Sequence, residues 1–118
     1  MTSKTNRGEV WLASLGPRYG AEPGKLRLVL VLQSQVLIDA HYSTTVVIPL
    51  STKLIDDAGP LRLRVAPSGR LKRESDLLIA QVRAIDNRRL MIGPLTRVSP
   101  ELLARVENAI QEVLGILR

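Results

Sequence analysis

A chain of 118 residues has room for one compact domain, because separate hydrophobic cores normally need on the order of 100 residues each. With no cysteine and a single histidine, His41, it has no disulfide, no thiolate nucleophile, no cysteine-ligated metal and no multi-histidine metal site. The net charge of +6 is carried mainly by arginine, thirteen of the 17 basic residues, whose planar fork suits phosphate and base stacking; nucleic acid or an acidic protein is the indicated partner class, beside a plain solubility surface.

Met1 to Gly8 is polar and basic, with no apolar stretch of the signal-peptide kind behind it. No apolar run in the chain is long enough for a membrane span. A cytoplasmic, single-domain protein over residues 1–118, with a flexible segment at 1–6, is therefore expected.

Glu9 to Leu15 alternates imperfectly and is stopped by Gly16 and Pro17, which marks a first strand. Arg18 to Lys25 holds Gly20, Pro23 and Gly24 and reads as a loop. Leu26 to Leu32 is a dense apolar run broken only by Arg27, a buried second strand. After a polar stretch from Gln33 to Ser43, Thr44 to Leu50 is β-branched and apolar, a third strand that ends at Ser51 and Thr52. Leu61, Leu63 and Val65 alternate with Arg62 and Arg64, which predicts a strand with one wet, basic face. One more strand is read over Asp76 to Ile85. At the end, Ser99 can cap a helix, Pro100 suits its first position, and Leu102, Leu103, Val106, Ile110, Val113, Leu114 and Leu117 form its apolar stripe. Five or more short strands closed by one terminal helix argue for a mainly β fold with α, a small antiparallel barrel rather than a parallel sheet.

Several blocks in this order carry a resemblance. Arg7, Gly8, Glu9, Val10 and Trp11 are followed by Pro17, Gly20 and Glu22, then by Arg27 before Val29 to Leu32. Farther on come Ile48, Pro49, Leu50, Ser51 and Thr52, and then Gln81, Val82, Arg83, Ala84, Ile85 and Asp86 with Arg89 and Leu90. Together they resemble MazF/PemK-type toxins from about Arg7 to Leu114. The resemblance implies an SH3-like barrel of the MazF/CcdB kind, a homodimer, metal-free cleavage of single-stranded RNA with no cofactor, and an acidic antitoxin that competes for the RNA groove. On matching positions it makes Arg27 and Ser51 catalytic and places Glu22 and Gln81 at the RNA site. Three positions depart from the family pattern: Leu28 stands where proline is usual, Pro23 where glutamine is common, and Ala80 where many relatives carry an acid.

Metal-free cleavage uses the adjacent 2'-hydroxyl as nucleophile and leaves a 2',3'-cyclic phosphate and a 5'-hydroxyl, so the phosphorane oxygens need stabilising and two protons need moving. Arg27 supplies a fixed positive fork and Ser51 a hydroxyl donor. A guanidinium is a poor base near neutrality, so Glu22 is the candidate for proton transfer. Arg83 adjoins Gln81 and is the better phosphate candidate of its neighbourhood. Thr52 follows Ser51, and Lys25 and Arg18 bound the first loop; all four are candidate RNA contacts.

Each of these residues also has a plainer reading. Arg27 fits a strand residue snorkelling from an apolar run. Ser51 and Thr52 fit a hydroxyl turn at a strand end, Glu22 a solvated loop carboxylate, and Gln81 a structural hydrogen-bonder. Arg70, Lys72 and Arg73 form a basic cluster that fits an RNA track or a solvated loop equally well. His41 is read as inert, and Trp11 as core or dimer interface. Against the nuclease stand a non-catalytic gyrase-inhibiting toxin of the same fold, disfavoured because no aromatic residue lies in the C-terminal tail, and a nucleic-acid-binding barrel without catalysis.

Overall fold

The computed structural model describes residues 5–16 and 25–116. Among these residues seven strands and two α-helices follow one another: β1 (Glu9–Ser14), β2 (Leu26–Val31), α1 (Gln35–Asp39), β3 (Thr44–Ser51), β4 (Arg62–Val65), β5 (Ser75–Leu78), β6 (Arg83–Asp86), β7 (Leu90–Arg97) and α2 (Pro100–Val113). The architecture is mainly antiparallel β with a C-terminal helix, as the sequence implies. Strand pairing runs β4-β5-β3-β2-β1-β7, with β6 paired to β3 off this path. The path is open, and the turn after β4 brings its two ends together: the Arg70 N–H donates to the Leu95 carbonyl at 2.7 Å, and the Ser68 and Thr96 hydroxyls lie 2.6 Å apart.

β3 organises the sheet. One edge pairs with β2 through Val29 opposite Pro49 and Val31 opposite Val47. The other pairs first with β6, where Val47 faces Arg83, and then with β5, where Leu50 faces Leu77 and Ser51 faces Asp76. Pro49, which has no N–H to give to a ladder, falls at the change-over. The run read as one strand over Asp76 to Ile85 is thus two strands separated by a 3-10 turn at Ile79–Gln81. Continuous apolar character hides such a break, because Ile79 is buried in the turn as fully as it would be in a strand.

Both faces of the sheet are covered. Leu30, Ile48, Leu77 and Ile79 pack with Val106 and Ala109 of α2 into the larger core. Trp11, Ala13, Val29, Val31, Val47 and Ile85 form a second layer against Ile38 of α1 and Leu90 of β7. Helix α2 begins where its cap residues predict: the Ser99 side chain accepts from the Leu102 N–H, Pro100 starts the helix and Glu101 occupies the first turn. Its stripe fades at the end, where Leu114 is exposed; Leu117 lies outside the described residues.

Two elements have no counterpart in the sequence reading. Helix α1 has five residues and no side-chain cap, too short to show a period. Strand β7 contains Gly93 and Pro94, which break alternation, and they sit where its register against β1 slips between Val10–Thr96 and Leu12–Ile92. Proline and glycine inside a strand are tolerated at such irregular edges.

The opening block Arg7–Trp11 proves to be structural. Gly8 takes φ +89°, a conformation that disfavours side chains. Arg7 donates to the Leu32 carbonyl at 2.9 Å and pairs with Glu107 of α2 at 2.6 Å. Glu9 is buried, and burial by itself would raise its carboxyl; donations from Trp11 Nε1, Asn6 and Arg97 outweigh that and hold it below its ordinary value.

Candidate phosphate site

β1, β2 and β3 end or begin beside one another, and this sets the site. A cavity of about 210 Å³ opens there, lined by Leu15, Gly16, Lys25, Arg27, Pro49, Gln81 and Arg83. Four residues singled out from the sequence, drawn from segments more than fifty residues apart, therefore share one small hollow. Arg27 faces Ala13 across β1–β2. Arg83 comes from β6 and Gln81 from the 3-10 turn ahead of it, held over β3 at Pro49 by the β3–β6 register.

Among the described residues the lining holds three cations, one amide and no carboxylate. Among those same residues the Arg27 guanidinium has no hydrogen-bond or ion-pair partner, so its donors remain for a ligand. Arg83 is partly committed, with Nη1 donating to the Leu15 carbonyl at 3.2 Å, which ties the site to the end of β1. A hollow of this size, with unneutralised cations on several walls, suits a phosphate group.

Ser51 does not line this cavity. It lies two residues past Pro49 on β3, and extending the β2–β3 register by two residues puts it across from Arg27. Its Oγ accepts from the Lys53 N–H at 3.1 Å, the hydroxyl turn that local sequence allows. That bond uses a lone pair and leaves the O–H free to donate. Thr52 is exposed in the bend that follows, outside the cavity. Glu22 and Arg18 lie outside the described residues.

Sequence models of PemK-like, MazF-like toxins of type II toxin-antitoxin systems match residues 6–114. The chain belongs to this family. It is 35% identical over 112 residues to the endoribonuclease MazF of Staphylococcus saprophyticus, covering 93% of this chain and 91% of that protein. Its fold is similar to a crystal structure of MazE-MazF from Deinococcus radiodurans, with TM-score 0.79 at 19% identity over 98% of this chain and 100% of that one. An endoribonuclease in complex with its cognate antitoxin from a mycobacterial species gives TM-score 0.73 at 20% identity, over 95% and 96% of the two chains.

Two features of this family member escape sequence reasoning. The first is a larger hollow of about 990 Å³ beside α1 and β7, with Trp11, Tyr42 and Met91 among its lining; its one arginine, Arg70, is matched by one acid, Asp39, so charge favours the smaller cavity as the anion site. His41 stands at this larger hollow, away from the phosphate cavity. The second is Asp76, buried on β5. The basic face expected on β4 is not free, because Arg64 Nε donates to Asp76 Oδ1 at 2.7 Å and Arg62 Nη1 to Oδ2 at 3.2 Å. The alternation of arginines along β4 could have prompted a search for a buried acid on its neighbour.

Proposed function

We propose that the chain is a metal-independent, sequence-selective endoribonuclease, the toxin of a type II toxin-antitoxin pair, with residues 1–118 acting as one domain. It cuts single-stranded RNA, mRNA foremost, to 2',3'-cyclic phosphate and 5'-hydroxyl ends and so halts translation and growth. The observation that carries this reading is the Arg27 guanidinium, unpartnered among the described residues, in a cavity whose described lining has no carboxylate, beside Lys25, Arg83 and Gln81.

The scissile phosphate enters this cavity. The 2'-oxygen attacks phosphorus and the bond to the 5'-oxygen breaks, with negative charge growing on the non-bridging oxygens. Arg27 meets that charge with a fixed fork, and the free O–H of Ser51 donates from the facing strand. Lys25 and Arg83 hold the flanking backbone, Gln81 offers an amide to a base edge, and Thr52 and Arg18 extend the RNA contact. Glu22 takes the proton from the 2'-hydroxyl, and the 5'-oxygen leaves with a proton drawn from solvent water.

The partners follow from the surface. An acidic antitoxin competes with RNA for the same cations, which speeds association by charge. Tyr42, Met91 and Ile92, exposed around the larger hollow, form an apolar surface that a second copy covers in a homodimer. Among the described residues no helix is long and apolar enough to cross a membrane, and the reading places the protein in the cytoplasm with its substrate.

The test is to incubate the protein with a long single-stranded RNA in EDTA beside an Arg27→Ala variant and to map new ends by primer extension. Discrete cuts with 5'-hydroxyl ends, absent with the variant, are the expected result. Binding without cutting by either protein would overturn catalysis and leave a binding barrel.

A further inference from the structure

Asp76 stands directly across from Ser51 in the β3–β5 register, and cross-strand partners share a face of the sheet. Its carboxylate is almost fully buried. Every contact it makes bears on the segment that follows Ser51. The Ile55 N–H donates to Oδ2 at 2.9 Å. Arg62, which also donates to Oδ2, gives a second bond from the same Nη1 to the Lys53 carbonyl at 3.0 Å. Arg64 joins Oδ1 to Asp56 at 2.8 Å. Residues 53, 55 and 56 are thus pinned to one buried carboxylate.

Such a hub is a poor device for stability alone, since replacing a buried ion pair by well-packed apolar side chains is often neutral or stabilising. What it does supply is direction. Lys53, held by its carbonyl, presents its N–H to the Ser51 Oγ, which occupies one lone pair and narrows the directions left to the hydroxyl hydrogen.

We propose that Asp76 is a positioning residue for Ser51, which aims the Ser51 hydroxyl at the phosphate through Arg62 and the Lys53 backbone. The assignment rests on the reading of Ser51 as a donor to the scissile phosphate. Asp76 touches no substrate; it acts through the pinned segment.

A double-mutant cycle on a single-site RNA oligonucleotide tests it, using wild type, Ser51→Ala, Asp76→Asn and the double variant, each checked for cooperative thermal unfolding. Asp76→Asn is expected to lower kcat by roughly tenfold with KM within about twofold, as for a transition-state donor that is misaimed. The double variant is expected to be no slower than Ser51→Ala, because a hydroxyl that is absent cannot be misaimed. Effects that multiply in the double variant would overturn the assignment, as would an unchanged kcat in folded Asp76→Asn or in Ser51→Ala. If Asp76→Asn does not fold, Arg62→Gln, which releases the Lys53 carbonyl and leaves Arg64 on Asp76, takes its place in the cycle: a slower kcat that does not multiply with Ser51→Ala supports the assignment, and an unchanged or multiplying one overturns it. Loss of cutting in Arg27→Ala beside any of these failures leaves the ribonuclease reading standing, whereas no cutting by wild type removes that reading and this one together.

Discussion

Gly93 lies against the Trp11 indole so closely that a Cβ built there overlaps ring atom Cδ2 and comes within 2.6 Å of Cγ and 2.7 Å of Cε2. The ring is itself held, with Nε1 donating to Glu9 at 3.1 Å and the residue almost fully buried. Gly93→Ala must therefore displace a fixed aromatic ring rather than the tip of a flexible chain. A loss of about 1–3 kcal/mol is expected, in the range of overpacked cores, read from urea unfolding followed by the fluorescence of this single tryptophan.

Arg27→Ala is expected to lower kcat by roughly 10²- to 10³-fold, the effect of removing one donor from a developing oxyanion. Arg27→Lys should recover only part of this, because an ammonium restores charge but not the fork. Single-turnover rates on one RNA oligonucleotide decide it; full activity in the lysine variant would show that the fork is not needed.

Burial pushes Glu9 and Asp76 toward higher pKa, yet their hydrogen bonds and the arginines beside them leave both below their ordinary values. A carboxylate depressed in the folded state contributes stability that is fully present above its unfolded value, about 4.3 for glutamate and 3.9 for aspartate, and is lost as pH falls through the folded value. Melting temperature should hence drop below about pH 4. Asp76→Asn flattens that acid limb while costing several degrees at pH 7, since it strips charge from a buried pair. Thermal melts from about pH 2.5 to 7, which span the unfolded values of both groups, check this, and parallel acid limbs would refute it.

The cavity's cations set the dependence of RNA binding on salt. Each phosphate neutralised on a single strand contributes about 0.7 to the slope of log affinity against log salt. Arg83→Ala should lower the slope by about that amount, measured by fluorescence anisotropy of a labelled RNA with the Arg27→Ala protein as background to prevent cutting. Arg88→Ala should leave it unchanged, because Arg88 is paired with Asp86 at 3.0 Å.

Alternation marks β1 and β4, continuous apolar or β-branched runs mark β2 and β3, and helical spacing marks α2, whose cap residues Ser99 and Pro100 also set its start. Such patterns fail where a local irregularity is built in: the Gly93–Pro94 bulge conceals β7, and Ile79 carries apolar character through a turn. Arg27, Gln81 and Arg83 are legible as a set only by resemblance, since nothing in the spacing of positions 27, 81 and 83 says that β2 and β6 flank the same strand. Asp76 is illegible for a related reason. A lone acid at the start of an apolar run reads as exposed until β4 is laid beside it and its two arginines turn inward.

The exchange of partners along β3 has a consequence for when the protein becomes dangerous to its maker. The cavity is assembled from the end of β1, the start of β2, the middle of β3 and the turn leading into β6, so its walls meet only through long-range pairings that form late and slowly compared with local structure. A nascent chain still on the ribosome holds Arg27 early but lacks Arg83 until most of the polypeptide has emerged. The phosphate cavity is therefore incomplete on any chain whose synthesis has not passed β6, and its chemistry begins only after that.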